Sequence, residues 1–203
     1  MTAENYLNKY QNFIFEFDEV LFPEKDYLLQ VYYLFAQFIE YAEQKDATEI
    51  LEFMKASFAS EGQEGIFDRT NLQFGIGEKY KVNFDLLLQN VKLPLKLLLF
   101  DDVLSFLTLI AKHNKRIYLI ATGDPIQALN KIRQTEWSNL KSSLNVYFSA
   151  ETPDQSISGT VDHIIDVEDL TPNDAVFFTQ KSSSVKGLNI DIIYLQLEKL
   201  FLP

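Results

Sequence analysis

The chain has 203 residues, a length that suits one α/β domain, or one domain with a modest insertion. Hydrophobic residues make up 47% of it, including 17 Phe and 10 Tyr, so a large core is available and global disorder is not expected. Eighteen basic residues against 29 acidic ones leave a formal charge of −11. No basic stripe is visible to neutralise phosphates, so nucleic acid is not an expected partner.

The absence of cysteine excludes disulfides, thiolate catalysis and Cys-rich metal sites. No charged segment followed by an apolar one opens the chain, so no secretory leader is indicated. No uncharged apolar run approaches the roughly 18 residues of a membrane span. The expectation is a cytoplasmic protein without a membrane partner.

In chain order, residues 12–17 (NFIFEF) form a short apolar run broken by Glu16, the pattern of a central parallel strand. Pro23 then fits a turn or a helix start. Residues 24–42 place Leu28, Val31, Tyr32, Phe35, Phe38 and Ile39 at spacings of three and four, which predicts a helix with an aromatic core stripe. A second helix is predicted over 47–59. Gly62, Gly65, Gly75 and Gly77 punctuate the next segment, which reads as loop. Gly75-Ile76-Gly77 follows no strand, so it is not a nucleotide loop.

Residues 79–90 and 102–113 read as further helices. Residues 117–121 switch to a buried strand that ends in Thr122-Gly123. Asp124 and Pro125 are residue types suited to cap and open a helix over 125–136. Short strands are predicted at 145–148, 175–179 and 190–195. From Glu151 to Asp174 there are seven acidic residues and no Lys or Arg, read as a solvated face or as a docking surface for a basic partner. His113 and His163 have no metal spacing, and Trp137 reads as a packing residue.

This order predicts an α/β protein with a Rossmann-like open parallel sheet and helices on both faces. The core would comprise residues 1–22 and 91–203. Residues 23–90 would be a helical cap inserted after the first strand. Ligands of such sheets bind beyond the carboxyl ends of the strands. That points to Glu16 and Asp18, to Thr122 and Gly123, and to Thr179 and Gln180.

These places resemble motifs of the haloacid-dehalogenase-like hydrolase superfamily. FEFDEVLFP resembles its opening motif, an apolar strand followed by Asp, any residue, Asp. YLIATGDPIQALNKI resembles its second motif, a strand ending in Thr or Ser before a turn and helix. DAVFFTQKSSSVKGLNIDIIYL lies where its fourth motif belongs. The resemblance covers most of the chain, and the inserted helices match the subgroup with a small helical cap.

The resemblance implies a catalytic set of Glu16 at the nucleophile position, Asp18 as general acid and base, and Thr122 with Gly123 as phosphate binders. Glu16 and Asp18 would hold Mg2+ if the site is active; no other cofactor is implied. The chain departs from the family pattern at three places: the nucleophile, a Lys of the third motif, and the acid of the fourth. Glu16 replaces the nucleophilic Asp and adds a methylene, and a misplacement of about 1 Å can cost on the order of a hundredfold in rate. Thr152 stands where a Lys would be, with Lys141, Lys181 and Lys186 as displaced substitutes. Thr179 and Gln180 supply no acid for a metal, so Asp174 or Asp191 would have to fold back.

Two functions follow. One is a degenerate member of the superfamily that binds or regulates an unknown protein or small-molecule partner. The other is a divergent magnesium-dependent phosphatase or related hydrolase acting on a small phosphorylated substrate.

Overall fold

The structure, a computed structural model, describes residues 3–180 and 187–195. Its five strands are β1 (Asn12–Glu16), β2 (Arg116–Ala121), β3 (Leu144–Phe148), β4 (Ala175–Thr179) and β5 (Asp191–Tyr194). They form one sheet in the order β3-β2-β1-β4-β5, with every neighbouring pair parallel. The α/β architecture is therefore the one the strand–helix order predicts. β1 lies at the centre with Phe15 beside both Leu119 and Phe178, which is why all five of its residues are buried.

Alternation along β1 feeds two cores. Phe13 and Phe15 join Phe106 and Phe178 on one face, with Phe15 stacked on Phe178 at 4.7 Å between ring centroids. Ile14 joins Tyr118, Ile120 and Phe177 on the other. The first face is covered by α1 (Ala3–Lys9) and α6 (Asp101–Lys112), the second by α8 (Ile157–Val167) through Val161 and Ile164.

Between β1 and α6 lie α2 (Glu24–Glu43), α3 (Ala47–Glu61), α4 (Ile66–Phe74) and α5 (Lys81–Asn90). Phe35 packs edge-on to Phe84 at 5.0 Å and beside Phe67. These side chains and those of β1 belong to one continuous apolar cluster. No described helix is long and apolar enough to cross a membrane.

Several elements differ from expectation. The glycine-punctuated segment is not all loop, because α4 occupies its middle. Gly65 and Gly75 flank that helix with φ of 70° and 58°, conformations that favour glycine at helix ends. Its glycines bound a helix as caps and do not break the chain into loop. α8 runs through the acidic stretch, since Ile157, Val161 and Ile164 provide the apolar stripe that charge counting overlooks. α1, which buries Tyr6 and Leu7, is a further helix beyond those expected. Tyr33, beside the stripe residue Tyr32, is 44% exposed. Trp137 is buried as expected, and its indole N–H donates to the Ile132 carbonyl.

Candidate functional site

β1 ends in a tight loop whose apolar residues anchor its polar ones. Phe17, Val20, Leu21 and Phe22 are fully buried, and the Phe17 amide continues the sheet by donating to the Ile120 carbonyl. Glu19 adopts φ 64°, a conformation costing on the order of 1–3 kcal/mol for a residue other than glycine. Its carboxylate accepts from the Glu24 amide at 3.0 Å and so caps α2. This loop presents Asp18 to a cavity of about 160 Å³ at the carboxyl edge of the sheet.

α7 (Pro125–Gln134) forms another wall. Asp124 caps it by accepting from the Ile126 and Gln127 amides at 2.7 and 3.1 Å. Those bonds, the one from Gln127 first, hold its carboxyl below the ordinary range, with help from the Gln89 side chain. Thr122 and Gly123 line the same cavity, and Gly123 takes φ 80° in the turn that delivers Asp124. Glu24 enters from the start of α2, and Gln63 from the turn between α3 and α4.

The centre of the arrangement is Lys131, on the inner face of α7. Its side chain is 3% exposed. The ammonium donates to Asp18 Oδ1 at 2.6 Å and to Glu24 Oε1 at 3.1 Å. Burial pushes the Asp18 carboxyl up to about 6; Lys131 opposes this, and the Glu24 and Glu16 charges add to it. Sequence reasoning missed Lys131. The available signal was a lysine three residues after Ala128 and beside Ile132, on the apolar stripe of a predicted helix.

Glu16 lies apart from this cluster. It is 1% exposed, does not line the cavity, and accepts from the Thr179 hydroxyl at 2.7 Å. The structure thus brings Asp18, Thr122 and Gly123 together around one cavity and leaves Glu16 beneath it. Gln180 turns its amide to the Glu19 carbonyl.

Among the described residues, Lys141, Asp174 and Asp191 do not reach the cavity. Thr152 is buried, donates to the Ser149 carbonyl at 2.8 Å, and serves the turn before α8. Lys141 is exposed beside Trp137 in a different groove. Asp174 and Asp191 precede or open β4 and β5, at the amino edge of the sheet. Asp191 is held there by Lys9 and Tyr10 at 2.7 and 2.6 Å. Neither acid folds back, because a parallel strand places its start at the opposite end from the cleft. Lys181 and Lys186 lie outside the described residues.

The donors present do not fit Mg2+. Among the described residues no three His, Cys, Asp or Glu side chains converge as metal ligands. Asp18 and Glu24 already share the Lys131 ammonium, Glu19 caps α2, and both Asp124 oxygens are engaged. Mg2+ demands a near-octahedral oxygen shell, which would require breaking these bonds.

No family model matches the chain, and no curated protein matches it. Solved structures do. YfnB of Bacillus subtilis, described as a HAD-hydrolase and solved with bound magnesium, is 10% identical with a TM-score of 0.63, covering 96% of this chain and 91% of that one. The L-2-haloacid dehalogenase of Xanthobacter autotrophicus is 12% identical with a TM-score of 0.54, covering 92% and 77%. A haloacid dehalogenase-like hydrolase of Bacteroides fragilis is 15% identical with a TM-score of 0.51, covering 87% and 81%. At such identities the likeness concerns the fold.

Proposed function

We propose that this chain, which has the fold of the haloacid-dehalogenase-like hydrolases, acts by binding a partner and has lost the superfamily's hydrolytic chemistry. The observation that carries the reading is the buried Lys131 ammonium between Asp18 and Glu24. An internal cation occupies the electrostatic role that a metal would fill, and it is bonded to the carboxylates that a metal would need. The general acid position is thereby neutralised, and the nucleophile position is sealed below the cavity with Thr179.

The charge of the cavity supports the same reading. Among the described residues, Asp18, Glu19, Glu24 and Asp124 face it with Lys131 as the one positive group. A phosphate ester brings further negative charge and meets net repulsion there. The cavity suits a small neutral or cationic ligand, with Thr122, Gln63 and Gln127 as hydrogen-bonding side chains. In this reading residues 23–90 act as a cap over a core of 1–22 and 91–203, because Glu24 and Gln63 reach the cavity from the inserted segment.

The test is hydrolysis of an aryl phosphate and a panel of sugar and nucleotide phosphates, with and without Mg2+, beside a Glu16→Gln variant. The expected result is no turnover above the variant and no saturable binding of Mn2+ by water-proton relaxation. Magnesium-dependent turnover that disappears in Glu16→Gln overturns the proposal in favour of the divergent phosphatase.

A further inference from the structure

A second, larger recess lies at the other end of α7, about 15 Å along the helix from Asp124 by its rise per residue. Its volume is about 370 Å³, against about 160 Å³ for the cleft. One wall is the segment that returns from α5 to α6, and the other is the end of α7 with the loop after it. The two walls are fastened together. Leu93 N–H donates to Gln134 Oε1 at 2.7 Å, Leu97 N–H to the Gln134 carbonyl at 3.1 Å, and Glu136 N–H to the Leu97 carbonyl at 2.8 Å. Trp137 lines the recess while its ring stacks on Phe17 of the β1 loop, with centroids 6.0 Å apart.

The charge of this recess opposes that of the protein. Lys92, Lys96, Arg133 and Lys141 line it, with Glu136 as the one acid. Glu136 is paired with Lys96. Among the described residues no carboxylate pairs with Lys92, Arg133 or Lys141, although the chain carries 29 acids and only 18 bases. Three cations without a paired carboxylate among the described residues repel one another around one concave site, and a bound anion relieves that repulsion. The volume falls within the range of small-molecule sites. Arg133 contributes a planar fork suited to two oxygens of a carboxylate or phosphate.

We propose that this recess binds a small polyanion, a molecule with two or more phosphate or carboxylate groups. The ligand bridges Lys92 on the returning segment to Arg133 and Lys141 on the core. It therefore fastens the segment that follows α5 to the end of α7, the helix that carries Lys131 in the cleft. This is an effector site separate from the cleft, and it stands whether or not the cleft is catalytic. The sequence hides it because its two walls lie 41 residues apart, as the Leu93–Gln134 bond shows.

The test is isothermal titration of the full chain with pyrophosphate and with citrate, at ionic strength held constant with sodium chloride. The variants are Lys92→Ala/Arg133→Ala, which removes two exposed groups, and Lys112→Ala, which removes an exposed lysine at the end of α6. The expected result is saturable one-site binding of at least one probe, weakened roughly tenfold or more in the double variant, as expected for loss of charge-assisted hydrogen bonds, and unchanged in Lys112→Ala. Circular dichroism confirms that both variants fold. Binding equal in all three proteins, or no binding of either probe, overturns the proposal. A preference for pyrophosphate assigns the ligand to phosphates, and a preference for citrate assigns it to polycarboxylates.

Discussion

Replacing Lys131 with Met keeps the length of the side chain and removes its charge. The ammonium is 3% exposed and bonds Asp18, which is 10% exposed, and Glu24, which is 29% exposed. Breaking a buried ion pair by removing one partner costs about 3–5 kcal/mol, because the remaining charge is stranded. Glu24 is open enough to turn towards water, so the loss falls mainly on Asp18 and should be about 3 kcal/mol at pH 8. For a chain of this length that lowers Tm by roughly 6–12 °C. Asp18 has its pKa raised to about 6, so at pH 5 it is largely protonated and less depends on the ammonium. The loss should shrink to about 1 kcal/mol there. Urea unfolding followed by circular dichroism at pH 5 and pH 8 measures both values. A loss below 1 kcal/mol at pH 8, or an equal loss at the two pH values, refutes the assignment of Lys131 as the resident cation of the cleft.

Asp18→Asn isolates the titration itself. A folded-state value raised from 3.8 to about 6 means that the folded chain binds this proton more tightly than the unfolded one. The associated stability is fully present below about 3.8 and is lost as pH rises through about 6. The stability of the variant relative to the parent should therefore rise by roughly 2–3 kcal/mol from pH 4 to pH 7 in urea titrations, whatever the offset from leaving Lys131 without Asp18, and a pH-independent difference would contradict this. Asp124→Ala removes both cap bonds of α7 and should cost about 1 kcal/mol of stability, whereas Asp124→Asn should retain most of it. Phe15→Ala empties the contact with Phe178 and Phe106 in the centre of the sheet and should cost about 3–5 kcal/mol by the same assay.

The elements most legible in the sequence were those whose signal is local. β1 and β4 are short apolar runs of the kind a doubly covered strand requires, and Ala175–Thr179 falls where the pattern places it. Asp124-Pro125 announces the start of α7 because an N-cap needs only its own next three residues. Asp18, Thr122 and Gly123 reach one cavity because they follow neighbouring parallel strands, a consequence of topology that strand order already implies. α4 and α8 were hidden by glycine and acid, residues whose meaning depends on what lies beside them.

What the tertiary structure alone decided is the pairing of charges across distance. Lys131 meets Asp18 over 113 residues of chain, and Glu24 over 107. The helix stripe places Lys131 on the inner face of α7, but nothing local to it says which groups its ammonium meets there. The depth of Glu16 is equally non-local, since it depends on Thr179 arriving on the adjacent strand. The basic recess combines lysines of a returning segment with an arginine at the end of α7, so its charge exists only once the chain has closed on itself. The sequence by itself determined the sheet and the edge at which a site would form, because periodicity and turn chemistry act over a few residues. The folded chain decided the chemistry at that edge, because a buried charge is defined by its partners and those partners come from elsewhere in the chain.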